Sequence, residues 1–165
     1  MAEPVTIRTF TSSVFGQNAY LLRCAETGAW VAIDPGGEAG AMGEMVEASG
    51  ASLDAILLTH AHLDHVEGVA ELAERFTAPV HLHPADRPLY DAAPRQAAVF
   101  GHAIRRPPPP DAELADGQVL RFGACALEVR HVPGHSPGHV LLYSEAAGAA
   151  FVGDVVFAGS IGRTD

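Results

Sequence analysis

The sequence predicts a mixed α/β sandwich in which two β-rich halves pack face to face beneath covering helices. Apolar segments of strand length recur in both halves, helix-length segments separate several of them, and glycine or proline marks most of the junctions. A chain of 165 residues is the size of one domain, and folding at this length buries roughly 70% of the surface exposed when unfolded. Residues 1–165 are therefore read as a single domain with a substantial core.

The first three strands are expected in "PVTIRTF" from Pro4, "NAYLLRC" from Asn18 and "AWVAID" from Ala29, the last broken by "PGG" at Pro35 to Gly37. Glu38 to Ser49 is helix-compatible, and "LDAILL" from Leu53 is a buried strand. One helix is predicted over Val66 to Phe76, where Val66, Val69, Ala70, Ala73 and Phe76 share a face. "PVHLH" adds a strand, and Asp86 to Gly101 is again compatible with helix. Four prolines at Pro107 to Pro110 cannot continue a helix and read as a stiff linker between the halves. Beyond them "QVLRF", "CALEVRHV", "HVLLYS" and "AAFVGD" form a second set of strands.

A formal net charge of −10 opposes docking on nucleic-acid phosphates or anionic lipid, so neither nucleic acid nor membrane is an expected partner. No apolar run reaches the ~20 residues a membrane-spanning helix needs. The first residues lack the basic and apolar regions of a signal peptide, and Cys24 and Cys125 form no close pair in sequence, which makes the cytoplasm the expected compartment. Both cysteines lie in apolar strand-like sequence and read as packing residues.

The chemistry concentrates in "LLTHAHLDHVEGV", Leu57 to Val69, where a strand end meets a helix start. His60 and His62 lie two apart and can point the same way, with Asp64 and His65 beside them at the helix start. Imidazole and carboxylate ligands suit zinc and other first-row divalent ions, and two adjacent clusters suit a pair about 3.5–4 Å apart. A helix cap would explain Asp64 alone and leave three histidines on one short loop without a reason. His135 in "HVPGHSPGH" and Asp154 in "FVGDVVF" also follow strands, and a carboxylate such as Asp154 can bridge two ions.

These motifs make the chain similar to the metallo-β-lactamase-fold hydrolases, whose HxHxDH signature is matched by His60, His62, Asp64 and His65. "DPGG" at Asp34, "PGHSPGH" at Pro133 and "GDVVFAGSIGRTD" at Gly153 resemble the glyoxalase II-like branch. The resemblance implies an αββα sandwich with its metals at one edge of the two sheets. It implies a first site of His60, His62, His135 and Asp154, and a second of Asp64, His65 and Asp154. Orienting roles are expected for Asp34 and His139, while His81, His83, His102 and His131 read as structural.

In the family the pattern continues to a last histidine that ligates the second metal, whereas this sequence stops at Asp165. The resemblance therefore implies a truncated domain with an incomplete second half, one firmly held ion and a weaker second. It also implies a partly uncovered second sheet through which homo-oligomers could form. The activity implied is hydrolysis of small-molecule thioesters, typically hydroxyacyl conjugates such as S-lactoylglutathione, by hydroxide generated at zinc, with iron or manganese as alternatives. Asp64 is the expected catalytic residue that holds or orients the nucleophile. Two other readings stay open: a persulfide dioxygenase-like enzyme with one iron on His60, His135 and Asp154, and an inactive metal-binding remnant.

Overall fold

The computed structural model describes residues 4–164; Asp165, the last residue of the "GSIGRTD" stretch, and the first three residues of the chain lie outside them. Sheet 1 has six strands in chain order: β1 (Val5–Thr11), β2 (Asn18–Cys24), β3 (Trp30–Ile33), β4 (Leu53–Leu57), β5 (Val80–Leu82) and β6 (Ala112–Glu113). The first three pair antiparallel, and β3 through β6 pair parallel. Parallel neighbours need long crossovers, and helices provide them. These are α1 (Ala39–Ala48), the short α2 (Leu63–Val66) with α3 (Val69–Phe76), and α4 (Arg87–Val99), the last preceded by a 3-10 turn at Pro84–Asp86. Sheet 2 is antiparallel in the order β10-β9-β8-β7, from β7 (Val119–Phe122), β8 (Cys125–His131), β9 (Val140–Ser144) and β10 (Ala149–Phe151). A hairpin of β11 (Val156–Phe157) and β12 (Ser160–Ile161) follows.

The period-2 alternation of strand side chains divides the interior into two cores. Ala19, Leu21, Trp30, Ala32 and Ile56 face the helices, where they meet Met42, Val46, Val69, Leu72 and Tyr90. Their sequence neighbours Leu22, Val31, Ile33 and Leu57 face sheet 2 and pack on Leu127, Val129, Val140, Leu142 and Phe151. Strand β3 is buried on both faces, which accounts for its uninterrupted apolar sequence. No helical residue joins the second core, so the described residues form three layers: helix, sheet 1 and sheet 2. The outer face of sheet 2 carries the exposed side chains of Val119, Arg121, Arg130 and Tyr143.

The structure corrects two sequence expectations. The proline run does not divide the halves, because β6 follows it and still pairs with β5 in sheet 1, His81 opposite Ala112. The crossing to sheet 2 comes later, between Leu114 and Val119, where Gly117 and Gln118 bond to Val129. The expected helix over Val66 to Phe76 is interrupted after Val66 and resumes at Val69. Gly68 causes the interruption: its N–H donates to the Pro35 carbonyl at 2.8 Å, and a Cβ there would sit 2.4 Å from the Gly36 oxygen. Helix and "DPGG" turn approach too closely for any side chain between them.

Leu127 is fully buried between the sheets and Arg130 is exposed on the outer face. Leu127→Ala should lower the unfolding free energy by about 2–5 kcal/mol, and Arg130→Ala should stay within about 0.5 kcal/mol, both measured by urea denaturation.

Candidate metal centre

Loops leaving the ends of strands in both sheets deliver the candidate ligands to one place. His60 and His62 come from the loop after β4, and Asp64 and His65 from the first turn of α2. His135 comes from the loop between β8 and β9, and Asp154 from the turn after β10. Ligand atoms of His60, His62 and His135 lie within 4.8 Å of one another, as do those of His60, His65 and Asp154. Between the clusters Asp154 reaches both ways, with Oδ1 3.2 Å from His65 Nε2 and Oδ2 3.3 Å from His135 Nε2. Asp64 Oδ2 stands 3.6 Å from His65 Nε2. All six candidate residues are thus brought together, and His60 lies close to both groups.

Hydrogen bonds on the far side of the rings fix which nitrogen faces inward. Thr59 Oγ1 donates to Asp34 Oδ2 at 2.6 Å, so its lone pair accepts from His60 Nδ1 at 3.1 Å. His65 Nδ1 donates to the same Asp34 oxygen at 3.0 Å, and His135 Nδ1 donates to the Arg163 carbonyl at 3.0 Å. Each ring then directs its Nε2 lone pair to the centre. His60 Nε2 is buried without a hydrogen-bond partner, His65 Nε2 is buried against Asp154 Oδ1 at 3.2 Å, and His135 Nε2 faces His62 Nδ1 at 2.8 Å. Buried lone pairs converging in this way are costly unless something with a positive charge receives them. The set fits a divalent transition-metal ion, with each histidine oriented by the bond it makes on the other side.

The electrostatics agree. Burial holds the His60 imidazole far below its ordinary value, with His65, His139, His62 and His135 adding to the effect. Burial lowers His62 in the same direction, helped by His135. At His65 burial is outweighed by the Asp34, Asp154 and Asp64 carboxylates, which raise the imidazole to about 10. Three carboxylates around one buried ring favour positive charge there, Asp34 at Nδ1 and Asp154 and Asp64 at Nε2, and a divalent ion would meet the two on the Nε2 side. Burial pushes Asp154 upward, but the His65 hydrogen bond and the neighbouring imidazoles leave it below the usual carboxylate range.

Asp34 and His139 occupy orienting positions. Besides His65 and the Thr59 hydroxyl, Asp34 accepts the Thr59 N–H at 2.7 Å, and it adopts φ +49°, a left-handed conformation uncommon outside glycine. His139 Nε2 accepts the Asp154 N–H at 3.1 Å, while burial and the His135 and His65 rings lower its imidazole to about 4. Away from the centre, His83 stacks on His131 with ring centroids 4.1 Å apart, His81 sits on β5, and His102 pairs with Glu67 at 3.1 Å.

Sequence reasoning missed Asp86. This fully buried carboxylate accepts from Ala61 N at 2.9 Å, Ser136 Oγ at 2.8 Å and Gly138 N at 2.6 Å. It ties the loop carrying His60 and His62 to the loop carrying His135. Nothing in "HPADRP" marks this, because the acceptors' partners come from positions 25 to 52 residues away in sequence. The serine of "GHSPG" is spent on that bond and is 1% exposed.

A cleft of about 510 Å³ opens above His62, Asp64, His135 and Asp154. This three-layer scaffold, with histidines and carboxylates gathered at strand ends of both sheets, defines a metallo-hydrolase. Residues 13–165 match the metallo-beta-lactamase superfamily, and the chain belongs to that family. It is 36% identical over 168 residues to "Hydroxyacylglutathione hydrolase GloC" of Haemophilus influenzae, covering 98% of this chain and 76% of that one. A crystal structure of TTHA1623 in a di-iron-bound form superposes with a TM-score of 0.85 at 44% identity, over 96% of this chain and 77% of that one. The BLEG-1 B3 metallo-beta-lactamase superposes at 0.86 with 35% identity, over 97% and 77%.

Replacing Asp86 by asparagine keeps the volume but leaves one oxygen where two accept. Asp86→Asn should weaken zinc binding about 10–100-fold, measured by competition with a chromogenic chelator.

Proposed function

We propose that the chain is a metal-dependent thioester hydrolase of the glyoxalase II-like kind, acting on hydroxyacyl thiol conjugates. The observation that carries this reading is the convergence of imidazole nitrogens and carboxylates on the floor of an open cleft whose described lining includes no serine, cysteine or lysine. Its likeness to the protein named hydroxyacylglutathione hydrolase GloC supports the choice of thioester. Ions held by His60, His62, His135 and Asp154, and by Asp64, His65 and Asp154, would supply Lewis acidity and bring the pKa of water down to about 7.

The remaining work falls to the protein. Asp64, with a side chain 27% exposed, borders the cleft. Its carboxylate orients the attacking water and accepts a hydrogen bond from it as the O–H weakens. His62, kept neutral near pH 7 by burial, offers its lone pair instead of a charge. Asp34 and Asp86 hold the ligand loops still, so the reacting groups meet without reorganisation. A thiolate leaves readily, which explains why no strong acid is needed on the leaving-group side.

Metal removal and metal analysis test the proposal. Chelation should abolish turnover of S-lactoylglutathione, and added zinc, manganese or iron should restore it. One iron per chain with dioxygen uptake on a persulfide and no thioester turnover would overturn it, as would hydrolysis of a β-lactam in place of thioesters. Asp64→Asn should lower kcat by roughly 10²–10⁴-fold, the range for losing a positioned acid–base group.

A further inference from the structure

The cleft above the metal centre has an apolar rim that the catalytic reading leaves unused. Phe15 stands on the β1–β2 turn and is 39% exposed; Phe100 ends α4 and is 71% exposed. Both line the cleft with Leu63 and Leu89. Two aromatic side chains held in water beside a site of this volume are an expensive arrangement for a surface and a good one for a ligand's apolar face.

The rim is held in place. Its turn is closed by Ser12 N–H to the Gln17 carbonyl at 2.8 Å and Gly16 N–H to the Ser12 carbonyl at 2.9 Å. The Phe15 ring meets His102 edge-on at 6.3 Å, and His102 in turn bonds Glu67 at 3.1 Å. Phe100 caps its helix by donating its N–H to the Ala97 carbonyl at 3.0 Å. Both aromatic side chains are therefore presented to the cleft by anchored backbone.

Charge narrows the ligand further. Arg163 is the one arginine or lysine among the described residues that line the cleft. Arg105 pairs with Glu74 and Arg87 with Asp91, both outside it. Glutathione brings two carboxylates, and the chain itself carries −10. A thiol carrier with two carboxylates to seat finds one arginine here, whereas an aryl or branched-alkyl arm finds two aromatic side chains.

We propose that the cleft selects thioesters with an apolar aryl or branched-alkyl thiol arm that bears no carboxylate, and that Phe15 and Phe100 are its specificity-determining residues. This rests on the thioester-hydrolase reading above and names the substrate class for the same site.

The test uses the full chain loaded with zinc and two lactoyl thioesters, one of benzyl mercaptan and one of glutathione. The benzyl ester should show a kcat/KM at least tenfold higher. Phe15→Ala and Phe100→Ala should each reduce that ratio three- to tenfold, through KM of the benzyl ester. Val99→Ala, one position from Phe100 and outside the lining, should leave the ratio within twofold. Equal or faster turnover of the glutathione ester, or a ratio unmoved in both phenylalanine variants, would overturn the proposal. If neither ester is hydrolysed the thioester reading falls, and calorimetric binding of the matching non-hydrolysable thioethers decides the inference alone. Tenfold tighter binding of the benzyl thioether, weakened in Phe100→Ala, would support it, and equal or weaker binding would overturn it.

Discussion

The site depends first on one buried carboxylate. Asp34 receives the Thr59 N–H, the Thr59 hydroxyl and His65 Nδ1, so a single side chain fixes the end of β4, the tautomer of His60 and the orientation of His65. A carboxylate buried to this degree is tolerated because every donor it needs is supplied by groups that are themselves buried. The backbone accepts a cost as well, since φ at Asp34 is +49°. From this position, just past the end of β3, its carboxylate bonds both Thr59 and His65.

A second carboxylate performs the same service from the other direction. Asp86 sits between the loop after β4 and the loop after β8, and accepts from both. Gly138 passes close beneath it, where a Cβ would lie 2.6 Å from the Asp86 nitrogen. The loops after β4 and β8 are therefore held by carboxylates that do not line the cleft, and the turn bearing Asp154 is held by His139. This division of labour fixes the histidine rings from outside the cluster while their other nitrogens face one another and Asp154.

The strand segments, the two-sheet sandwich and the residues of the candidate site follow patterns visible in the sequence. Apolar residues that bunch in "NAYLLRC" and alternate through "LEVR" mark strands of sheets 1 and 2, and "HAHLDH" follows an apolar strand at the point where its chain turns into a helix. Other features depended on distant contacts and left no local trace. The break at Gly68 reflects the Pro35 carbonyl more than thirty residues earlier, and periodicity alone runs straight through it. The proline run reads as a boundary because of its stiffness, yet the two residues of β6 that follow it are too few to register as a strand in sequence. Asp86 was invisible for the same reason: a lone aspartate beside a proline resembles any turn residue until the chain has folded around it.

Because His60, His62, Asp64 and His65 hang from sheet 1 while His135 and Asp154 hang from sheet 2, any ion they share is also a fastener across the seam between the sheets. The apolar layer of Leu22, Ile33, Leu127 and Leu142 grips the two sheets along their length, and the ligands close them at one end. Affinity for the ion is then partly affinity of one sheet for the other. Whatever loosens the interface should loosen the ion's hold, and the starved protein should part first at the edge where the candidate ligands gather.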